Sequence, residues 1–190
     1  KIVFATGGYG GKEIKDLKNY WLPIKTFIGV TKPLGNELHS VLKKPLGFSD
    51  NRRAGNYYRV LPGNRLSWGR GISAVGKFTS LSLKRAISKE INYFFPELRN
   101  VEIDYVWFGN MAYASHYMPY VGSIKIGNEE NNVFTLMGFG GHGMNTAPGS
   151  AMVLADFILG KSSKHEVFNR FRRKWNGGLL GPYIAEMKYK

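Results

Sequence analysis

The chain has 190 residues, with 27 Lys and Arg against 13 Asp and Glu, a net charge of +14 at neutral pH. Its 43% hydrophobic and 21% charged residues place it among ordinary globular chains, outside the disordered, fibrous and disulfide-stapled classes. A cysteine count of zero excludes disulfides, thiolate nucleophiles and cysteine-ligated zinc or iron-sulfur clusters, and the positive excess attracts polyanions, anionic surfaces or acidic partners without choosing among them.

Ile2, Val3, Phe4 and Ala5 form a near-continuous apolar run, which predicts a strand covered on both faces and running straight into Gly7, Gly8, Gly10 and Gly11. A chain that enters such a strand at its second residue reads either as an isolated small domain or as one whose upstream part has been removed. The polar stretch 12–19 suits a short helix. A second strand is expected over 24–31, closed by Pro33 and Gly35, and the weakly periodic 36–54 reads as a long connection.

Residues 57–60 and 66–68 are the arms of a predicted hairpin whose turn is Pro62, Gly63 and Asn64. Leu81, Leu83, Ile87, Ile91 and Phe94 or Phe95 recur at helical spacing, so 80–95 is predicted as an amphipathic helix stopped by Pro96. Val101, Ile103, Tyr105 and Trp107 alternate with Glu102, Asp104 and Val106, as in a strand with one protected face. A strand pair follows over 121–126 and 132–137. A compact helix is expected over 148–159, with Asn145 or Thr146 as its cap and Pro148 in its first turn, then a short helix over 165–175 and a break at Gly177 and Gly178. The order predicts a mixed α/β (α+β) fold. With no apolar run near the roughly 18 residues of a membrane span, no transmembrane segment is expected and a cytoplasmic location is the default.

The segment 134–160 is the most informative. A strand delivers the chain into Gly138, Gly140, Gly141 and Gly143, which permit tight turns and close approach to something flat or phosphorylated, and the N–H groups at the following helix start suit an anion or an electron-rich carbonyl. This is not the usual GxGxxG fingerprint, and no acidic residue stands at the right distance to bind a ribose. A turn that merely reverses the chain competes with the binding reading. Strand-to-glycine transitions near both ends nonetheless predict that the ends meet in one dinucleotide-binding layer, with the stretch between them forming a second, antiparallel one.

ATGGYG at 5–10, YYRVLPGNRLSWGRG at 57–71, FPEL at 95–98, WFGNMAYASHYMPYVG at 107–122 and GFGGHGMNTAP at 138–148 together resemble the C-terminal part of the FAD-dependent amine and amino-acid oxidoreductases, the relatives of D-amino-acid oxidase, glycine oxidase and glutamylputrescine oxidase. The resemblance implies that 1–20 and 123–190 are the returning part of a Rossmann-like FAD-binding domain. It implies that 21–122 is a substrate or cap domain built on a mostly antiparallel sheet. Non-covalent FAD is the implied cofactor, with Thr6, Gly7 and Gly8 near the dinucleotide and Gly140, Gly141, His142, Gly143 and Met144 along the flavin ring. The implied reaction oxidises the C–N bond of a small amine or amino acid. The GxGxxG half of the family is absent from these residues, which implies a missing N-terminal half or a partner subunit and doubtful FAD binding by this chain alone.

Flavin oxidation asks the protein for positioning rather than a triad. Tyr57, Tyr58, Arg59, Trp68, Trp107, Asn110 and His116 are the candidates; within them Tyr58, Arg59, Trp107 and His116 are taken as catalytic, Arg59 for a substrate carboxylate. Each has a plainer reading, since Tyr and Trp on half-buried strands usually belong to the core and Arg59 can simply reach solvent. Four scattered histidines give no metal site. Two other readings stand beside the enzyme: an inactive fragment or partner-dependent subunit, and a basic polyanion-binding protein based on Arg170, Arg172, Arg173 and Lys174. Without a reader motif, nucleic acid is not expected.

Overall fold

The computed structural model describes residues 1–10, 17, 20–52, 54–128, 132–170 and 177–189. In chain order the strands are β1 (Ile2–Phe4), β2 (Leu22–Thr31), β3 (Gly47–Ser49), β4 (Tyr57–Leu61), β5 (Arg65–Ser73), β6 (Ile103–Tyr113), β7 (Tyr120–Ser123) and β8 (Val133–Met137). The helices are α1 (Glu37–Val41), α2 (Ser80–Phe94), α3 (Gly143–Ile158), α4 (Glu166–Asn169) and α5 (Gly181–Tyr189). They fall into two compact units, Lys1–Ile24 with Asn110–Lys188, and Lys25–Gly109 with Tyr189–Lys190. No described helix is long and apolar enough to cross a membrane.

In the first unit β8 lies between β1, its parallel partner from Ile2↔Val133 to Phe4↔Thr135, and β7, its antiparallel partner. The expected union of the first strand and the strand before the glycine turn therefore holds. Alternation along β8 feeds two cores, as a strand covered on both faces requires. Val133 and Met137 pack with Leu17, Trp21, Ala112, Ala114 and Tyr120, while Phe134 packs with Val121 and Leu154 of α3. β1 departs from expectation. It is an edge strand among the described residues, and Ile2 and Val3 remain 58% and 45% exposed.

The helix after the glycine turn begins at Gly143, five residues earlier than Pro148 suggested, so Asn145 and Thr146 are helical rather than capping. Proline normally marks a first turn, but here it sits inside. The turn before it is closed by Thr146, whose N–H and hydroxyl both bond the His142 carbonyl, at 3.3 and 2.6 Å. Of the helix expected over 165–175, α4 occupies four residues, and 171–176 lie outside the described residues. His165 at the start of α4 stacks on Phe157 of α3 with ring centroids 3.5 Å apart. α5 was not anticipated, because its sequence has little amphipathic contrast.

The second unit is built on a five-stranded sheet in the order β3-β4-β5-β2-β6. The hairpin forms as expected, with Gly63 and Asn64 of its turn at φ +76° and +54°. α2 also forms as expected. Its Thr79 and Ser82 exchange hydrogen bonds of 3.1 Å in a capping box, and Leu83, Ile87 and Ile91 are buried. Gly29 of β2 sets how closely α2 approaches the sheet: a Cβ there would stand 2.9 Å from Ile87 Cδ1 and 3.3 Å from Ile103 Cγ2. α1 and β3 replace the structureless connection expected over 36–54, since elements of five and three residues are too short to show a period. β6 runs six residues past its expected end at 107. Its protected face holds for Ile103 but not for Tyr105 and Trp107, which are 58% and 47% exposed.

A charged network ties α2 to the sheet. Glu90 accepts from Asn56 Nδ2 at 2.9 Å and pairs with Arg70 Nε at 2.7 Å, its side chain 17% exposed. Glu90→Ala would leave the buried Asn56 and the half-buried Arg70 facing a gap, with an expected loss of about 2 kcal/mol in chemical denaturation and roughly half that for Glu90→Gln. Beside it, Asp50 accepts from the Arg52 guanidinium and from the Arg52 and Asn56 amides. These donors, the Arg52 side chain first, hold its carboxyl below the usual value. Its pKa is lower folded than unfolded, so its stabilisation is complete above the ordinary carboxylate pKa and is lost as pH falls through the lowered one. Asp50→Asn should accordingly flatten the acid limb of the stability-pH curve.

Candidate functional site

Because β1 and β8 are parallel neighbours, the turns that follow them open at the same end of the sheet. One is the 3-10 turn Gly7–Tyr9, entered through Thr6. The other is the glycine run after Met137. Ligands of open α/β sheets bind beyond such carboxyl ends. The Thr6 hydroxyl reaches Met137 Sδ at 3.5 Å, linking the two turns.

Glycine is required here by conformation. Gly7, Gly138, Gly140 and Gly141 have φ of +60°, +85°, +56° and +90°, values that cost L side chains of order 1–2 kcal/mol each. Contacts add to this. A Cβ on Gly140 would lie 3.2 Å from the Tyr113 ring, and one on Gly141 would lie 3.1 Å from Met111 Sδ and 3.6 Å from Tyr113 Oη. Gly8 is buried so tightly against β6 that a Cβ would stand 2.6 Å from the Asn110 carbonyl, while the Asn110 amide donates to Tyr9 Oη at 3.0 Å. The Gly140 amide in turn donates to the Ala112 carbonyl at 2.9 Å, and Tyr113 bridges to Phe139. The last four residues of β6 thus brace both glycine turns.

α3 leaves the second turn with His142 as its N-cap and with no side-chain cap bond. Its first amides, from Gly143 onward, have no carbonyl four residues back within the helix and suit an electron-rich acceptor. Gly141, His142 and Met144 are exposed, Met144 by 96%. Thr6, Gly7, Gly8, Gly140, Gly141, His142, Gly143 and Met144 are therefore brought to one end of one sheet. Met111, Tyr113 and Tyr9 were missed as members of this arrangement. Continuing the alternation of β6 past Trp107 would have found the first two.

His116 lies in the turn after β6, where Nδ1 accepts from the Met118 amide at 3.2 Å and the ring meets Tyr120 edge-on at 5.0 Å. Burial pushes the Tyr120 hydroxyl up to about 12, so it stays protonated at any ordinary pH.

Within the second unit the hairpin candidates separate by face. Tyr58 stacks on Trp68 at 4.5 Å and on Phe48 at 5.4 Å, in the core covered by α2. Desolvation there raises its hydroxyl pKa. Trp68 is completely buried. Tyr57 and Arg59 alternate to the opposite face, where Tyr57 lies across Gly69 and its hydroxyl shares a 3.2 Å hydrogen bond with Thr26 Oγ1. Arg59 and Trp107 are exposed.

Comparison with known proteins decides the family. The family model described as FAD dependent oxidoreductase matches residues 1–157. The chain belongs to that family. It is 25% identical over 169 residues to gamma-glutamylputrescine oxidoreductase of Escherichia coli, covering 88% of this chain and 38% of that protein. It is 28% identical over 148 residues to the probable oxidoreductase OrdL of Haemophilus influenzae, covering 77% and 32%. The chain thus spans well under half the length of these curated relatives. Among solved structures, glycine oxidase from Bacillus cereus is similar with a TM-score of 0.65 at 21% identity, over 91% of this chain and 46% of that one. A fructosyl peptide oxidase mutant gives 0.71 at 14% identity, over 96% and 47%. At such identities they establish a likeness of fold alone, of the mixed α/β kind.

Proposed function

We propose that the chain is the flavin-enclosing later part of an enzyme that oxidises the C–N bond of an amine or amino acid to an imine. The observation that carries this reading is the meeting of two glycine turns at the carboxyl ends of parallel neighbours β1 and β8, beside the uncapped start of α3. FAD fits the residues present: left-handed glycines make a cradle that a Cβ would strain or fill, and unsatisfied amides point from a helix start. When bound, FAD supplies the acceptor for the hydride that leaves the substrate carbon. The amides at Gly143 and Met144 would favour negative charge facing them, and Thr6, Gly7 and Gly8 would line the dinucleotide.

On this reading the unit formed by Lys1–Ile24 and Asn110–Lys188 belongs to a Rossmann-like FAD domain and the stretch Lys25–Gly109 to the part that holds substrate, bounds that differ from the expected 1–20, 21–122 and 123–190. Arg59 binds a substrate carboxylate and Trp107 gives an aromatic wall, whereas Tyr58, stacked on the fully buried Trp68, serves the core of the sheet. His116 is held in place by the Met118 amide, which donates to its Nδ1 at 3.2 Å. The adenine grip lies outside these 190 residues, which cover 38% of the Escherichia coli relative.

Flavin content tests the proposal. A form extended to the relatives' length should purify with bound FAD that bleaches on anaerobic addition of an amine or amino acid, while the 190-residue chain should hold little flavin and turn over slowly or not at all. An extended form without flavin or without amine-dependent bleaching would refute the enzyme reading, and tight stoichiometric FAD in the short chain would refute the division of the site.

A further inference from the structure

An open groove of about 520 Å3 runs along the second unit between α2 and the beginning of β6. Arg85 and Lys89 stand exposed on its rim, and Ser88 and Asn92, one and two turns along the same helix, form its floor with the buried Val101 and Ile103. Most polar groups here are already engaged. The Ser88 hydroxyl donates to the Val101 carbonyl, the Lys84 ammonium donates to the Asp104 carbonyl at 2.8 Å, and Glu102 pairs with Lys32 at 2.6 Å. Two things are left over. Arg85 and Lys89 make no ion pair among the described residues, and Asn92 Oδ1 is buried with no hydrogen-bond partner among them.

A buried amide oxygen almost always has a donor, and Asn92 Oδ1, shielded in the empty groove, gains one when its carboxamide turns toward a ligand N–H, beside two cations that ask for anions. Helical rise of about 1.5 Å per residue sets Arg85 and Lys89 about 6 Å apart along α2. An extended peptide rises about 3.3 Å per residue, so its alternate side chains are about 6.6 Å apart on one face. We propose that this groove binds an extended acidic peptide segment of a partner protein, with carboxylates two residues apart on Arg85 and Lys89 and a backbone amide on Asn92. A net charge of +14 favours such a partner at long range. A DNA backbone offers the anions but no donor for the carboxamide oxygen, and an RNA backbone offers only its 2′-hydroxyls. The inference does not depend on the flavin reading.

Fluorescence anisotropy with labelled synthetic peptides tests it. A peptide with two glutamates separated by one residue should bind the chain at low salt about fivefold more tightly than an isomer with adjacent glutamates, because only the first matches the cation spacing. Arg85→Glu with Lys89→Glu should weaken binding by about tenfold or more; Arg85→Gln, a milder change, should weaken it about threefold, and far-UV circular dichroism confirms that α2 persists. Asn92→Ala should weaken binding about threefold with an unchanged salt dependence, since it removes a neutral contact. Equal binding of the two isomers overturns the proposal. So does tighter binding of a single-stranded oligonucleotide of equal charge, or loss on charge reversal with indifference to Asn92→Ala, which is the behaviour of a plain cationic surface.

Discussion

In a form extended to the relatives' length, replacing Gly141 by leucine is expected to leave a folded chain that retains at least about tenfold less flavin. Two effects combine. At φ +90° any side chain is strained, and the new Cβ would press on Met111 Sδ at 3.1 Å. The rest of the leucine must then project from an exposed turn into the space where the proposed cofactor lies. The ratio of flavin to protein absorbance reads the result directly. Gly143→Ala is the matched control, because its φ is not left-handed and the nearest atom, Phe139 Cβ, would be 3.7 Å away. It should keep its flavin. A leucine variant with full flavin would mean that the glycine run only reverses the chain.

Gly8→Ala is expected to lower the stability of the first unit by about 3 kcal/mol. The obstruction is backbone rather than a yielding side-chain tip: the Asn110 carbonyl carbon and oxygen both lie 2.6 Å from the added Cβ. If the 3-10 turn moves away, the Tyr9–Asn110 hydrogen bond is also lost. Tyr9→Phe alone should cost about 1 kcal/mol, and in the double variant the two effects should overlap rather than add. Gly7→Ala, with nothing within 4 Å but φ +60°, should cost only about 1 kcal/mol by backbone strain. Denaturant titration orders the three. Equal losses at Gly7 and Gly8 would show that the approach to β6 is not what fixes this turn.

The parts of the fold that were legible in the sequence carry their own local signals. The hairpin announced itself through Pro62, Gly63 and Asn64, and α2 through its spacing and Pro96. The pairing of β1 with β8 was reached from the two strand-to-glycine transitions, a relation between segments about 130 residues apart that no window could display. What was lost lay where one local rule met a contact or a register that it did not contain. Pro148 argued for a first helical turn, but the preceding turn is held by Thr146 and the His142 carbonyl. The sequence expectation makes Tyr58 catalytic in preference to its neighbour Tyr57, and only the register with Gly69 and Trp68 sends Tyr57 to the open face and Tyr58 into the core. Met111 and Tyr113 were invisible as neighbours of Gly140 and Gly141 because their strand seemed to end at 107.

Apart from Tyr189–Lys190, the second unit is one continuous stretch of chain, Lys25–Gly109, flanked in sequence on both sides by the first. Its entry and exit are neighbours: β2 and β6 are adjacent strands, Lys32 N–H bonds the Glu102 carbonyl at 2.9 Å near one end, and the Lys25 ammonium stands 5.8 Å from the Phe108 ring centre near the other. Folding order follows from this closure. Joining β1 to β8 across an unstructured chain means closing a loop of about 130 residues, a search whose entropy grows with the logarithm of its length. Once the inserted sheet has formed from its own nearer contacts, some 85 of those residues become a closed cassette whose two ends already lie together, and the remaining search is correspondingly shorter. The inserted stretch is therefore expected to form first, and the two distant stretches that hold the glycine turns to find one another last.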